Sequence, residues 1–121
     1  MAQLTNRAST LAAQAVTSAL DGGTLEFVTT SGVVAARLGF GTPAFGAVVN
    51  GRAEANAFTP DLSPTGGTAV TFVARDATSR ALLRGTVGNF AGDIRLADNN
   101  IVPDLPFTLD LFVYLQTQTP V

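Results

Sequence analysis

Short runs of alternating apolar and polar residues recur along this 121-residue chain, and each run ends at a turn sequence. Alternation with a period of two is typical of a β-strand that buries one face. The clearest run covers residues 107–116, where five apolar residues share one face: Phe107, Leu109, Leu111, Val113 and Leu115. Strands separated by turn signals every roughly 8 to 12 residues favour an antiparallel β-sandwich or a jelly-roll-like domain.

One amphipathic α-helix precedes these runs. In residues 6–21, alanine, leucine and valine recur at spacings of three and four, which places them on one helical stripe. Gly22 and Gly23 follow, and glycine readily takes the positive φ that ends a helix. A chain of this length has room for a single core. We therefore expect one mainly β domain, with an N-terminal arm and α-helix in residues 1–23 and a β-sandwich in residues 24–121.

The other strands are predicted from the same alternation. Two hairpins and a short strand are expected: 24–30 with 33–40, 68–75 with 81–87, and then 93–97. Residues 45–57 fit either one strand with a bulge or two strands around Asn50 and Gly51, a pair that favours a tight turn. Residues 58–67 are rich in proline and glycine and predict a loop. The run at 107–116 is expected to form a central strand.

Charged residues are scarce, at 13% of the chain against about a quarter in an average soluble domain. The surface must therefore contain much Ala, Thr, Gly, Ser and Asn, a composition that suits permanent contact with neighbouring proteins. The net charge is −2, and arginine supplies every basic residue. Because the sequence lacks a cationic stripe that could neutralise phosphates, we expect no nucleic acid partner.

The N-terminal segment does not resemble a signal peptide, since polar residues such as Gln3, Asn6 and Arg7 interrupt it. No apolar run approaches the roughly 18 residues that a membrane span needs. We therefore expect a soluble protein that is made in the cytoplasm and has no membrane partner.

Side chains suited to catalysis are few. The chain has no histidine, cysteine or lysine, and these residues carry most acid–base, thiol and Schiff-base chemistry. Asp93, Asp98 and Asp104 are close in sequence and could form a carboxylate pair or hold calcium, but the spacing of a calcium-binding loop is missing. We therefore expect a protein that is not an enzyme, with no catalytic residues, no metal site and no cofactor.

Eight residues are candidates for contact with other proteins: Gln3, Leu4, Arg37, Arg52, Arg75, Arg84, Phe112 and Tyr114. These arginines, with Arg80 and Arg95, lie on or beside predicted strands, where a planar guanidinium group can pair with a neighbour's carboxylate. Phe112 and Tyr114 lie opposite the apolar row of the last strand. Either this strand sits between two layers, or its second face meets a partner. Gln3 and Leu4 belong to a terminal arm of the kind that can clamp a partner.

Four parts of the chain carry a resemblance to a known group of proteins. They are residues 21–27 (Asp-Gly-Gly-Thr-Leu-Glu-Phe) after the alanine-rich helix, 43–47, 84–88 with 92–96, and 107–109 (Phe-Thr-Leu). Their order and spacing resemble small virion structural proteins of tailed bacteriophages and prophages, which are often encoded near head genes. The resemblance spans most of the chain. Residues 102–106 depart from it, because such proteins usually carry a glycine-containing turn and a Ser/Thr-rich strand there.

The resemblance implies a non-enzymatic virion protein, above all a capsid decoration or cement protein that binds the major capsid protein and stabilises the shell. It also implies self-association, with a trimer as the expectation because shell lattices present three-fold positions. The expected location is the capsid surface, after synthesis in the bacterial host cytoplasm. Two alternatives stay open: a head–tail connector, tail or fibre component, and a small ligand- or carbohydrate-binding module.

Overall fold

The computed structural model of the chain describes residues 6–49, 52–89, 92–96, 98–109 and 112–115. In this part of the chain one helix precedes nine strands: α1 (Asn6–Ala19), β1 (Thr24–Val28), β2 (Val34–Gly39), β3 (Arg52–Glu54), β4 (Gly67–Thr68), β5 (Thr71–Arg75), β6 (Ala81–Gly88), β7 (Ile94–Arg95), β8 (Asn100–Ile101) and β9 (Val113–Leu115). The expected mainly β fold with one N-terminal helix is confirmed.

The main sheet has five strands in the order β2-β1-β5-β6-β7. Its pairs are antiparallel except for β6 and β7, which run parallel. Both predicted hairpins are present, as β1 with β2 and β5 with β6, because each has a short polar turn between its strands. Two smaller sheets pair β3 with β9 and β4 with β8.

Helix α1 forms because one of its sides meets the rest of the domain. Ala13, Thr17 and Leu20 follow each other at helical spacing and are buried, whereas Leu11 on another side is 53% exposed. The helix packs against β3 and β9. Gly22, with a φ of 69°, turns the chain away from the helix towards β1.

The core lies between the inner face of the main sheet and the loops and short strands that cover it. Leu25, Phe27 and Leu38 contribute fully buried side chains from β1 and β2. A cluster of phenylalanine rings lies beside them: Phe40, Phe45, Phe58, Phe72 and Phe112. The centroid of the Phe112 ring lies 5.8 to 6.4 Å from those of the other four. Since aromatic side chains bury the largest apolar areas, this cluster is a major source of stability.

The prediction of a long central strand at residues 107–116 is wrong. Phe107 forms an isolated bridge with Asp61, and among the described residues β9 pairs with β3 alone. The central strands of the main sheet are β1 and β5. Phe112 is 7% exposed and points into the core, whereas Val113 is only half-buried. A phenylalanine ring buries more area than a valine, so the ring at 112 takes the interior position and reverses the facing expected at residues 112 and 113. Phe107 and Leu109, which were also expected to face inward, do pack against the core.

The stretch at residues 45–57 contains one short strand, β3, and isolated bridges that pair Phe45 with Ala55 and Val49 with Arg52. Val49 and Arg52 exchange backbone hydrogen bonds of 2.9 and 3.0 Å. The predicted turn residues between them, Asn50 and Gly51, lie outside the described residues.

The predicted loop at residues 58–67 covers the outer edge of β2. Gly39 and Thr59 exchange backbone hydrogen bonds, and Gly66 donates to the carbonyl of Ala35. The backbone N–H of Arg37 donates to Oδ2 of Asp61 at 2.9 Å. Backbone and side-chain groups of the loop thus occupy the edge that β2 would otherwise leave open.

Candidate functional site: an arginine-bearing face of the main sheet

The register of the main sheet places several charged residues on its outer face. Residues that are directly paired across strands share a face, and alternate residues of one strand lie on opposite faces. Glu26 of β1 is paired with Arg37 of β2 on one side and with Val73 of β5 on the other. Val73 is paired in turn with Arg84 of β6. Glu26, Arg37 and Arg84 therefore lie on the face opposite to buried Phe27.

Two further arginines join this face. Arg75 is paired with Thr24, two residues before Glu26. Arg95 of β7 is paired with Gly88, four residues after Arg84. The five strands contain four arginines and one acidic residue, and together these form what we call the arginine face: Glu26, Arg37, Arg75, Arg84 and Arg95.

Glu26 lies between two arginines. Arg37 donates from Nε to Oε2 of Glu26 at 2.8 Å, and its Nη2 lies 2.8 Å from the same oxygen. Arg75 donates from Nε to Oε1 at 2.9 Å and from Nη1 to the carbonyl of Ser79 at 3.1 Å. The Glu26 side chain is 7% exposed, against 56% for Arg37 and 31% for Arg75. The carboxylate is thus covered by two guanidinium groups that remain partly open to solvent.

Two opposing influences set the pKa of Glu26. Burial is the largest single influence and raises the pKa, because it disfavours the charged carboxylate. Hydrogen bonds from Arg75 and Arg37, together with their positive charges, lower the pKa and outweigh burial. The pKa of Glu26 therefore lies below its ordinary value, and the carboxylate is ionised at neutral pH.

Arg84 and Arg95 differ from the arginines beside Glu26, since both are exposed and neither forms a salt bridge with a described residue. Four positive charges and one negative charge give the arginine face a net charge of +3, in a chain whose net charge is −2. The acidic residues of the described part other than Glu26 lie outside these five strands, in loops and on β3. The strands of the main sheet thus carry an excess of arginine over carboxylate, which a negatively charged partner surface would match.

The structure brings together three of the candidate interface residues, Arg37, Arg75 and Arg84. Arg52 lies on β3, outside the main sheet, with its Nη2 at 3.1 Å from Oε1 of Glu54. Phe112 is a candidate either for burial between two layers or for contact with a partner, and its ring is buried among four others in the core, so it presents almost no surface.

Three of the candidates cannot be placed. Gln3 and Leu4 lie outside the described residues, and so does the side chain of Tyr114, although its backbone belongs to β9.

Sequence reasoning missed Glu26 as the residue that organises this face. The alternation of Glu26 with Leu25 and Phe27 indicates that the carboxylate lies on the face opposite to the core. Its pairing with Arg37 could have been found from the predicted hairpin. The contact with Arg75 joins residues 49 positions apart and depends on which strands become neighbours.

The described residues offer little for other kinds of site. They contain no group of three or more acidic residues placed to share a metal ion. A cleft of about 480 Å³ lies between β2 and the loop at 60–65 and is lined by Val34, Arg37 and Asp61 among others. A second cleft of about 160 Å³ lies between α1 and residues 43–48. Among the described helices there is none with the length and apolar character needed to cross a membrane.

Comparison of the chain with family models, with curated proteins and with solved structures finds no match. The arginine face is therefore interpreted from its own geometry.

Proposed function

We propose that this chain is a non-catalytic structural protein that binds the acidic surface of another protein through its arginine face. The observation that carries the proposal is the placement of four arginines and a single carboxylate on one face of the main sheet, with Arg84 and Arg95 exposed. Arginine suits such contacts because its planar guanidinium group can donate two parallel hydrogen bonds to a carboxylate.

The arrangement around Glu26 favours rapid and specific binding. Side chains that are already held in place lose little conformational entropy when a partner binds. Arg37 and Arg75 are held by Glu26, so their remaining N–H groups are preorganised, while Arg84 and Arg95 extend the positive surface across β6 and β7.

The partner that we propose is the major capsid protein of a tailed phage or prophage, with this chain as a decoration or cement protein on the capsid surface. Support comes from the resemblance of residues 21–27, 43–47, 84–88, 92–96 and 107–109 to virion proteins. A small domain whose copies are joined in an oligomer gains avidity when several copies bind equivalent sites of a shell, and it stabilises the assembled state because it binds that state selectively.

The proposal is tested by cosedimentation of this protein with empty shells. The shells are assembled from the major capsid protein encoded in the same genome. Arg84→Glu and Arg95→Glu should each weaken binding at least about tenfold, and added salt should weaken the binding of the original protein. Arg7→Glu is the matched control, because it makes the same charge change at an exposed position on α1. Equal binding by all three variants, or no binding by the original protein, would contradict the proposal.

A further inference from the structure

Two loops of this chain contain the same three consecutive residues, proline, aspartate and leucine. They occupy residues 60–62 and 103–105. Both leucines are exposed, Leu62 at 68% and Leu105 at 57%, and Val102 beside the second loop is 49% exposed. Apolar side chains that are exposed together on a soluble domain often mark a contact with another molecule.

Hydrogen bonds join the two loops into one surface. Oγ of Ser63 donates to Oδ1 of Asp104 at 3.1 Å, and the N–H of Asp104 donates to the carbonyl of Pro64 at 3.0 Å. Because Ser63 follows Leu62 and Asp104 precedes Leu105, these bonds hold the two exposed leucines in the same region of the molecule. Prolines fix φ on both loops, so little conformational entropy is lost when a partner binds. We call residues 60–64 and 102–106 the twin-loop surface.

The twin-loop surface is negatively charged. Its charged residues are Asp61 and Asp104, and it contains no arginine. Arg37 lines a cleft together with Leu62, but the guanidinium group of Arg37 is already paired with Glu26. The matching partner surface is therefore apolar and carries a positive charge.

The first residues of β6 form a surface of this kind. Leu82 is 42% exposed, and Arg80, just before the strand, is exposed and forms no salt bridge with a described residue. Strand β5 pairs with Ala81 and with Leu83 but not with Leu82, which makes Leu82 a bulge residue. Since a bulge interrupts the ladder, a partner would meet the side chains here and would not add a strand.

The twin-loop surface and the start of β6 lie at opposite ends of one row of paired residues across the sheet. The row runs Thr59, Gly39, Thr24, Arg75 and Ala81. Thr59 directly precedes the first twin loop, and Ala81 directly precedes the exposed leucine of β6. Three strand spacings, about 14 Å, separate β2 from β6. The two surfaces of one molecule therefore stay apart, whereas those of two molecules can meet.

We propose that the twin-loop surface of one copy of this chain binds the start of β6 in a second copy. Leu62 and Leu105 then pack against Leu82, and Asp104 faces Arg80. Because the two surfaces differ, the contact is head-to-tail, and its repetition closes into a ring when the rotation between copies allows it. A ring of three copies matches the trimer expected from shell symmetry.

Sedimentation equilibrium of the full chain tests this inference through two exposed positions. The original protein should sediment as a multiple of the 12.4 kDa chain at high concentration. Leu62→Arg places a positive charge opposite Arg80, and Leu82→Glu places a negative charge opposite Asp104. Each should weaken self-association at least about tenfold. Leu11→Arg is the matched control, because it makes the same change at a 53% exposed position on α1, and it should associate like the original protein.

A mixture of the two variants distinguishes a head-to-tail contact from a contact between identical surfaces. The chain with Leu62→Arg keeps an unchanged β6, and the chain with Leu82→Glu keeps unchanged twin loops. Since one native contact can form between them, an equimolar mixture should contain heterodimers, although each variant alone is monomeric. A monomeric original protein, a folded variant that associates like the original, or a mixture that stays monomeric would overturn the proposal.

A further variant covers the case in which a leucine substitution unfolds the domain. Arg80→Glu should weaken self-association, whereas Arg7→Glu on α1 should not, and equal association of these two folded variants would also exclude the contact. The inference does not depend on the proposed function. Arg95→Glu removes a proposed shell contact and should leave self-association unchanged, so the two proposals can fail separately.

Discussion

Arg37 donates its Nε–H to Oε2 of Glu26 across 2.8 Å on the outer face of the main sheet. The two residues are directly paired on β2 and β1, so the backbone register brings the charges together before any side-chain adjustment. Arg75 completes the cluster from β5. A side chain with 7% exposure is stable as a carboxylate in this position because both of its oxygens accept hydrogen bonds from cations.

Replacement of Glu26 by glutamine should destabilise the domain by about 1–3 kcal/mol, since two charge-assisted hydrogen bonds are weakened and two arginines lose their counter-charge. Urea unfolding measures the change. Glu54→Gln serves as a control, because its ion pair with Arg52 is exposed on both sides and should contribute less than about 1 kcal/mol. Equal effects of the two substitutions would show that burial of Glu26 has no energetic importance.

The contribution of Glu26 to stability should depend on pH in a defined direction. Because its pKa is lower in the folded state than the ordinary value of 4.5, the stabilisation is complete above that value. It is lost as pH falls below 4.5 and through the lower folded pKa. The difference in unfolding free energy between the original protein and Glu26→Gln should therefore shrink on acidification from about pH 7 to about pH 3. A difference that grows towards low pH would contradict this assignment.

Truncation of Phe112 to alanine should cost about 3–5 kcal/mol, since its ring packs against four other rings in the core. Thermal unfolding provides the measurement. Leu105→Ala, at a position that is 57% exposed, should change the unfolding free energy by no more than about 0.5 kcal/mol. A mild effect at Phe112 would favour the alternative in which this side chain contacts a partner.

Alanine at Gly85 should destabilise β6 by about 1–3 kcal/mol. A Cβ atom at this position would lie 2.4 Å from Cε1 of Phe72 and 2.6 Å from Oδ2 of Asp93, so that the ring and the carboxylate must both move. Gly46→Ala is the control, because its Cβ would meet no atom closer than 3.7 Å. Chemical denaturation should give a lower unfolding free energy for Gly85→Ala than for Gly46→Ala. Equal values would show that the Phe72 ring and the Asp93 carboxylate can make room for a Cβ atom at little cost.

The sequence predicted the elements that depend on neighbouring residues. The helix ends near Gly22, and the β5–β6 hairpin turns where the Asp76 carboxylate accepts hydrogen bonds from the backbone of Thr78 and Arg80. Such signals lie within a few residues of one another. Both hairpins and the mainly β class could therefore be predicted without knowledge of the tertiary structure.

The parts that were missed depend on contacts between distant residues. The facing of Phe112 is decided by rings at positions 40, 45, 58 and 72, which alternation within residues 107–116 cannot reveal. The arginine face likewise requires β1 to lie beside β5, although the hairpins alone do not specify that neighbour. All four arginines of the face were noted from the sequence, three of them among the eight candidate contact residues, but their common orientation and the role of Glu26 were not predicted.

An image of shells decorated with this protein, at a resolution that separates strands, shows which face of the main sheet meets the shell. We expect the arginine face to point towards the shell, with acidic side chains of the major capsid protein within about 4 Å of Arg84 and Arg95. Density in which this face points to solvent, or shells that carry no added density at saturating protein, would contradict it.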